Sequence, residues 1–153
     1  MTDTKKKYET LKDKYKLPEF DKMDSAFEID AIENTKFLSR EIRRKIAEKL
    51  EMYSKSIEGI LYPETTLNNL YESKFFNDKD KEWIFKLYKE LMVLQKKVMI
   101  LSTLENEKDD FEFITDVFNK WEKINSEIRK VFEKLKNAWE RETDIKEELE
   151  YFG

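Results

Sequence analysis

Apolar residues recur along this chain in steps of three and four, and the longest stripe runs Ile114, Val117, Trp121, Ile124, Ile128, Val131, Leu135, Ala138, Ile145 and Leu149. Such steps return a side chain to the same side of an α-helix, so the stripe predicts a helix over about 109–149 with one buried face. Phe111, Phe118, Phe132 and Trp139 flank it at multiples of seven. That face is wider than a two-stranded coiled coil needs, so this helix should touch at least two others.

Two further stripes predict long helices. Ile32, Leu38, Ile42, Ile46, Leu50, Tyr53, Ile57 and Ile60 mark a helix over about 29–61, closed by Pro63 and roughly 50 Å long. Ile84, Leu87, Leu91, Leu94, Val98 and Leu101, broadened by Trp83, Tyr88 and Met92, mark one over about 78–104. Asn77 or Asp78 caps that helix, and Asp109 or Asp110 caps the last, where the helix dipole favours a carboxylate.

Shorter signals lie between. Tyr8, Leu11 and Tyr15, after a cap at Thr2 or Asp3 and before Pro18, predict an amino-terminal helix over about 2–15. Phe20, Met23 and Phe27 form an apolar connector of one or two helical turns. Leu67, Leu70, Tyr71, Phe75 and Phe76, after Thr65 or Thr66, predict a short helix within about 64–76.

Together these elements predict an all-α fold: a single domain over 1–153 in which three long helices run up, down and up as an antiparallel bundle. Short loops force the alternation, and the first helix lies beside the start of the second. The last helix overshoots its neighbours, so either the 64–76 segment or a partner must cover Ile145 and Leu149. Two glycines and two prolines leave little material for hairpins. Charged residues form 42% of the chain, a level that suits disorder, but Leu, Ile, Val and Phe account for 41 of 153 residues and the net charge is only -4. A packed core with heavily charged wet faces reconciles the two.

Composition then removes whole classes of chemistry. The chain has no cysteine and no histidine, which excludes disulfides, thiolate nucleophiles, Cys-ligated metals and the commonest general base. Carboxylate pairs that hold magnesium on helices are visible at Glu48 with Glu51 and at Glu107 with Asp110, but the pairs are far apart and the first points away from the apolar stripe. No enzyme activity and no cofactor is expected. No apolar run approaches 18 residues and no secretory segment is visible, so no membrane span is expected and the cytoplasm is the expected location.

Two surface features carry binding hypotheses. Lys36, Arg40, Arg43 and Arg44, with Lys45 beside them, place positive charge along one side of the second helix, where arginine suits phosphate and nucleic acid. Against this, residues 1–62 carry fourteen basic and thirteen acidic side chains and residues 63–153 sixteen and twenty-one, an acidic balance unlike that of most nucleic-acid binders. Phe75, Phe76 and Trp83, with Tyr151 and Phe152 after the acidic run Glu147, Glu148 and Glu150, form a candidate aromatic interface. The reading that follows is a non-enzymatic protein-interaction or scaffolding module, with homodimerisation as its simplest version. The alternative is RNA, DNA or phosphate binding through the arginine side of the second helix.

Overall fold

The computed structural model describes residues 1–141. In that span the elements are α1 (Asp3–Tyr15), α2 (Phe20–Phe27), a single 3-10 turn (Ile29–Ala31), α3 (Leu38–Leu61), α4 (Leu67–Ser73), α5 (Asp78–Leu104) and α6 (Glu107–Glu140), with no strand among the described residues. Side-chain oxygens of Thr2, Thr66, Asn77 and Asn106 each accept the backbone N–H three residues on, which starts α1, α4, α5 and α6. At α5 the bond is reciprocated, because the Asp80 carboxylate accepts the Asn77 N–H. Lys16, Glu28 and Glu105 close α1, α2 and α5 in the left-handed region, at φ 54°, 56° and 50°. With no glycine at these ends, each carries a steric cost of roughly 1–2 kcal/mol that the surrounding packing must offset.

The core lies between α3, α5 and α6. Ile42, Ile46, Leu50 and Ile57 of α3, Ile84 and Leu91 of α5, and Ile114, Val117, Ile124 and Val131 of α6 are fully buried, each contributing about 1.5–3 kcal/mol by leaving water. Cross-links set the directions. Gln95 donates to Ser54 at 2.9 Å and the Tyr88 hydroxyl to Glu58 at 3.3 Å, so α5 runs antiparallel to α3. Ser39 meets Asp110 at 2.9 Å and Tyr53 meets Asn125 at 2.7 Å, so α6 runs parallel to α3. This is the expected up-down-up order.

The short helices close the remaining sides. Phe27 of α2 lies 4.8 Å from the Trp121 ring, Tyr15 of α1 lies 4.8 Å from Phe111, and Tyr53 stacks on Trp121 at 5.4 Å and 9°. At the other end the Tyr71 hydroxyl of α4 donates to the Ala138 carbonyl at 2.7 Å, and Ser73 donates to the Ile60 carbonyl at 3.1 Å. The 64–76 region thus supplies the cap over the end of α6 as far as Trp139; Ile145 and Leu149 lie outside the described residues.

Three boundaries differ from expectation. The second long helix begins at Leu38, not near residue 29, although Ile29 and Ile32 are buried. They reach the core from a 3-10 turn and an extended stretch held by α1, where the Thr4 hydroxyl donates to the Ile32 carbonyl at 2.6 Å and Thr2 bonds Asp30. Periodic burial continued past the helix because a non-helical segment happened to share its face. The short helix shrinks from 64–76 to Leu67–Ser73, since Thr66 is its cap and Phe75 and Phe76 lie in a turn. The last helix begins at Glu107, because Asn106 is the cap and Asp109 and Asp110 fall in its first turn.

Candidate interaction surface

Helix α5 has two apolar faces. Ile84, Leu87, Leu91 and Leu94 point into the core, and at 100° per residue Phe85, Val93, Ile100 and Leu104 fall on the opposite side. Those four are 40%, 55%, 59% and 54% exposed, and Met99 beside them is 58% exposed. Single exposed apolar residues are ordinary on any protein; a line of five along one helix, spanning about 28 Å, is not. The α3 helix shows the contrast: its outward side carries Glu51, Lys55 and Glu58, and Met52 is its one large exposed apolar residue among those described.

Lysines interrupt and edge this face: at 100° per residue Lys89 and Lys96 fall between its apolar residues, and Lys86 and Lys97 lie at one edge. Between residues 85 and 104 stand Lys86, Lys89, Lys96 and Lys97 against the single carboxylate of Glu90. Lys89 holds its ammonium 5.9 Å from the Phe85 ring centroid, and Lys96 reaches the Met99 sulfur at 3.7 Å, so their stems lie along apolar neighbours. Lys97 approaches Asp116 of α6 at 4.0 Å. Where α5 ends and α6 begins, a groove of about 330 Å³ opens, lined by Ile100, Leu101 and Phe113, by the carboxylates of Asp109, Glu112 and Asp116, and by Lys97.

The aromatic candidates form the end of the bundle. Phe76 is buried at 3% exposure and has no surface to offer a partner, which corrects its assignment to an interface. Phe75 and Trp83 are half-buried against the core; the Phe75 ring is 5.0 Å from that of Tyr71 and beneath the Arg141 guanidinium at 5.0 Å. Burial, with Arg141 nearby, holds the Lys74 ammonium below its ordinary pKa. Tyr151 and Phe152 lie outside the described residues.

The basic candidates separate. Arg43 is buried, and its Nη1 donates to Asp110 Oδ1 at 2.7 Å while Ser39 donates to Oδ2 at 2.9 Å. Committed to that carboxylate, Arg43 is not a phosphate contact, and Asp110 is not half of a metal-binding pair. Arg44 bonds Glu41 at 2.9 Å. Lys36 and Arg40 remain outward, both over the ring of Phe37 at 5.4 and 4.7 Å, and that ring is 48% exposed.

Among the described residues no group of three or more acidic, Cys or His side chains is placed to hold a metal, and no helix is long and apolar enough to cross a membrane. No family model matches this chain, and neither does any curated protein or solved structure.

The outer face of α5 went unassigned in the sequence because the clean heptad stripe of the same helix accounted for its apolar content. The signal was present. Phe85, Val93, Ile100 and Leu104 lie off that stripe, roughly opposite its centre, and helices that serve only to cover a core carry polar residues there.

Proposed function

We propose that this protein is a non-enzymatic helical interaction module that presents the outer face of α5 to a protein partner. One observation carries the reading: five large apolar side chains, between 40% and 59% exposed, line the side of α5 that faces away from its own core. Keeping such a stripe in water costs solubility and contributes nothing to the fold, so its use lies in covering it. A photo-crosslinking residue placed at Val93 or Ile100, with one at Lys55 on the outward side of α3 as control, tests this in the source cell. Adducts formed from α5 and not from α3 support the reading. Adducts of equal yield from both positions, or none, end it.

A second reading keeps RNA, DNA or phosphate as ligand, and rests on the exposed Phe37 ring with Lys36 and Arg40 over it. A ring that stacks on a base beside two cations is a common single-strand contact. Binding of a labelled oligonucleotide, lost in an F37A/R40E variant and falling steeply with salt, supports it; no binding at low salt removes it.

A further inference from the structure

We infer that the partner on the outer face of α5 is an acidic amphipathic helix. The inference rests on the reading of that face as an interface and adds the chemistry of what covers it. Shape comes first. A face about 28 Å long on a single helix, on which Lys89 and Lys96 alternate with Phe85, Val93, Ile100 and Leu104, matches roughly five turns of a second helix laid beside it, with apolar anchors and acidic residues alternating along its contact side. The groove beyond Ile100, lined in part by Leu101 and Phe113, receives one further apolar side chain at the stripe's end.

Charge selects among the helices that would fit. The stripe carries a net +3 between residues 85 and 104, from Lys86, Lys89, Lys96 and Lys97 less Glu90. Neither Lys86, Lys89 nor Lys96 has a carboxylate in ion-pair range among the described residues, and Lys97 has only the distant Asp116. A second copy of this chain would set +3 against +3 along the contact. An anionic bilayer would meet Asp109 and Glu112 at the groove, on a chain whose net charge is -4. A helix with glutamates or aspartates between and beside its apolar residues satisfies the lysines and the apolar positions together. Because Asp109 and Glu112 stand at the groove, the acidic part of the partner sits over Lys86 to Lys96, and the side chain entering the groove is the apolar one.

A library of random 16-residue peptides, displayed and selected on the immobilised full-length protein, tests this directly. Wild type should enrich sequences with apolar residues at helical spacing and acidic residues between and beside them. A K89E/K96E variant should lose those sequences by at least tenfold and enrich basic ones, and a V93S/I100S variant should enrich neither. Acidic peptides that survive both variants bind elsewhere and overturn the inference, as does a selection with no acidic excess or with no enrichment. Light scattering on the eluting protein and sedimentation with vesicles rich in phosphatidylserine complete the test: a dimer lost in V93S/I100S, or vesicle binding lost in that variant, assigns the face to those occupants instead. Failure here leaves crosslinking from Val93 and Ile100 as the separate judge of whether the face is an interface at all.

Discussion

Arg43 and Asp110, 67 positions apart in sequence, meet at 2.7 Å where the second turn of α3 lies beside the start of α6, and their side chains are only 7% and 4% exposed. Both oxygens of the carboxylate are used, one by the guanidinium and one by Ser39. A buried pair of this kind is costly to break from one side, since the remaining charge loses its partner without regaining water. R43M and D110L should therefore each cost about 3–5 kcal/mol, whereas R43M/D110L, which removes both charges, should lie close to wild type. Urea unfolding of the four proteins completes the cycle. Single variants within about 1 kcal/mol of wild type would show that the pair is solvated in solution.

The ion pair also marks where sequence reading stopped. Spacing of three and four was enough to find the buried stripes of α3, α5 and α6, because helix periodicity is local and Ile46, Leu91 or Ile124 announces its face through residues one turn away. Arg43 follows the same spacing as Lys36, Arg40 and Arg44, so a helical wheel groups them. Its partner sits in another helix, and no local pattern distinguishes a buried arginine from a solvated one. Ile32 failed for the reverse reason: it keeps the period of α3 while standing in extended chain, because burial constrains which residue faces inward and not the backbone that carries it. For α5 the difficulty lay in sufficiency. A helix that already accounts for its core contacts gives no reason to look for a second face.

The two faces of α5 should respond differently to truncation. Leu91 is fully buried, so L91A leaves a cavity and should cost about 2–5 kcal/mol, as should I46A in α3. Val93 and Ile100 are more than half exposed, so V93S and I100S should stay within about 0.5 kcal/mol of wild type. Thermal melts of these four variants are the measurement. An I100S protein destabilised as much as L91A would mean that the outer stripe is used within the chain, and the interface reading would fall with it.

Acid should weaken the contact between the starts of α5 and the end of α6. The Lys134 ammonium, hydrogen-bonded to Asp80, holds that carboxyl below its ordinary pKa, and the Asn77 backbone N–H acts in the same direction. A carboxyl lowered in the folded state releases its proton more readily there than in the unfolded chain. Its contribution is complete above the ordinary carboxylate value and is lost as pH falls through the lowered one. The stability gap between wild type and D80N, read as the difference in urea midpoint, should be open at pH 7 and shrink towards about pH 2. A gap that stays constant would show that Asp80 releases its proton no more readily in the folded protein than in the unfolded chain. N77A, which removes the side-chain half of the capping box, should cost about 1 kcal/mol at neutral pH.

Alkali acts through Tyr8. Its hydroxyl donates to the Pro18 carbonyl at 2.6 Å, and its ring meets Phe20 edge-on at 5.4 Å, so one side chain fastens the turn between α1 and α2. Burial, reinforced by the charges of Glu9 and Glu19, pushes its pKa well above the ordinary tyrosine range. The neutral form is the one the fold accommodates. The contribution is therefore intact below the unfolded value near 10 and is lost as pH rises towards the raised folded value. Y8F removes the hydrogen bond and should cost about 1 kcal/mol at pH 7. It also removes the group that must ionise, so the variant should lose less stability than wild type between about pH 9 and 11. Tyr53, raised by burial against the opposing charge of Arg129, and Tyr15, raised by its bond to Glu107, still titrate in Y8F and keep some alkaline slope. Urea midpoints of both proteins across that range decide it. Parallel slopes would show that the turn at Pro18 opens before Tyr8 ionises.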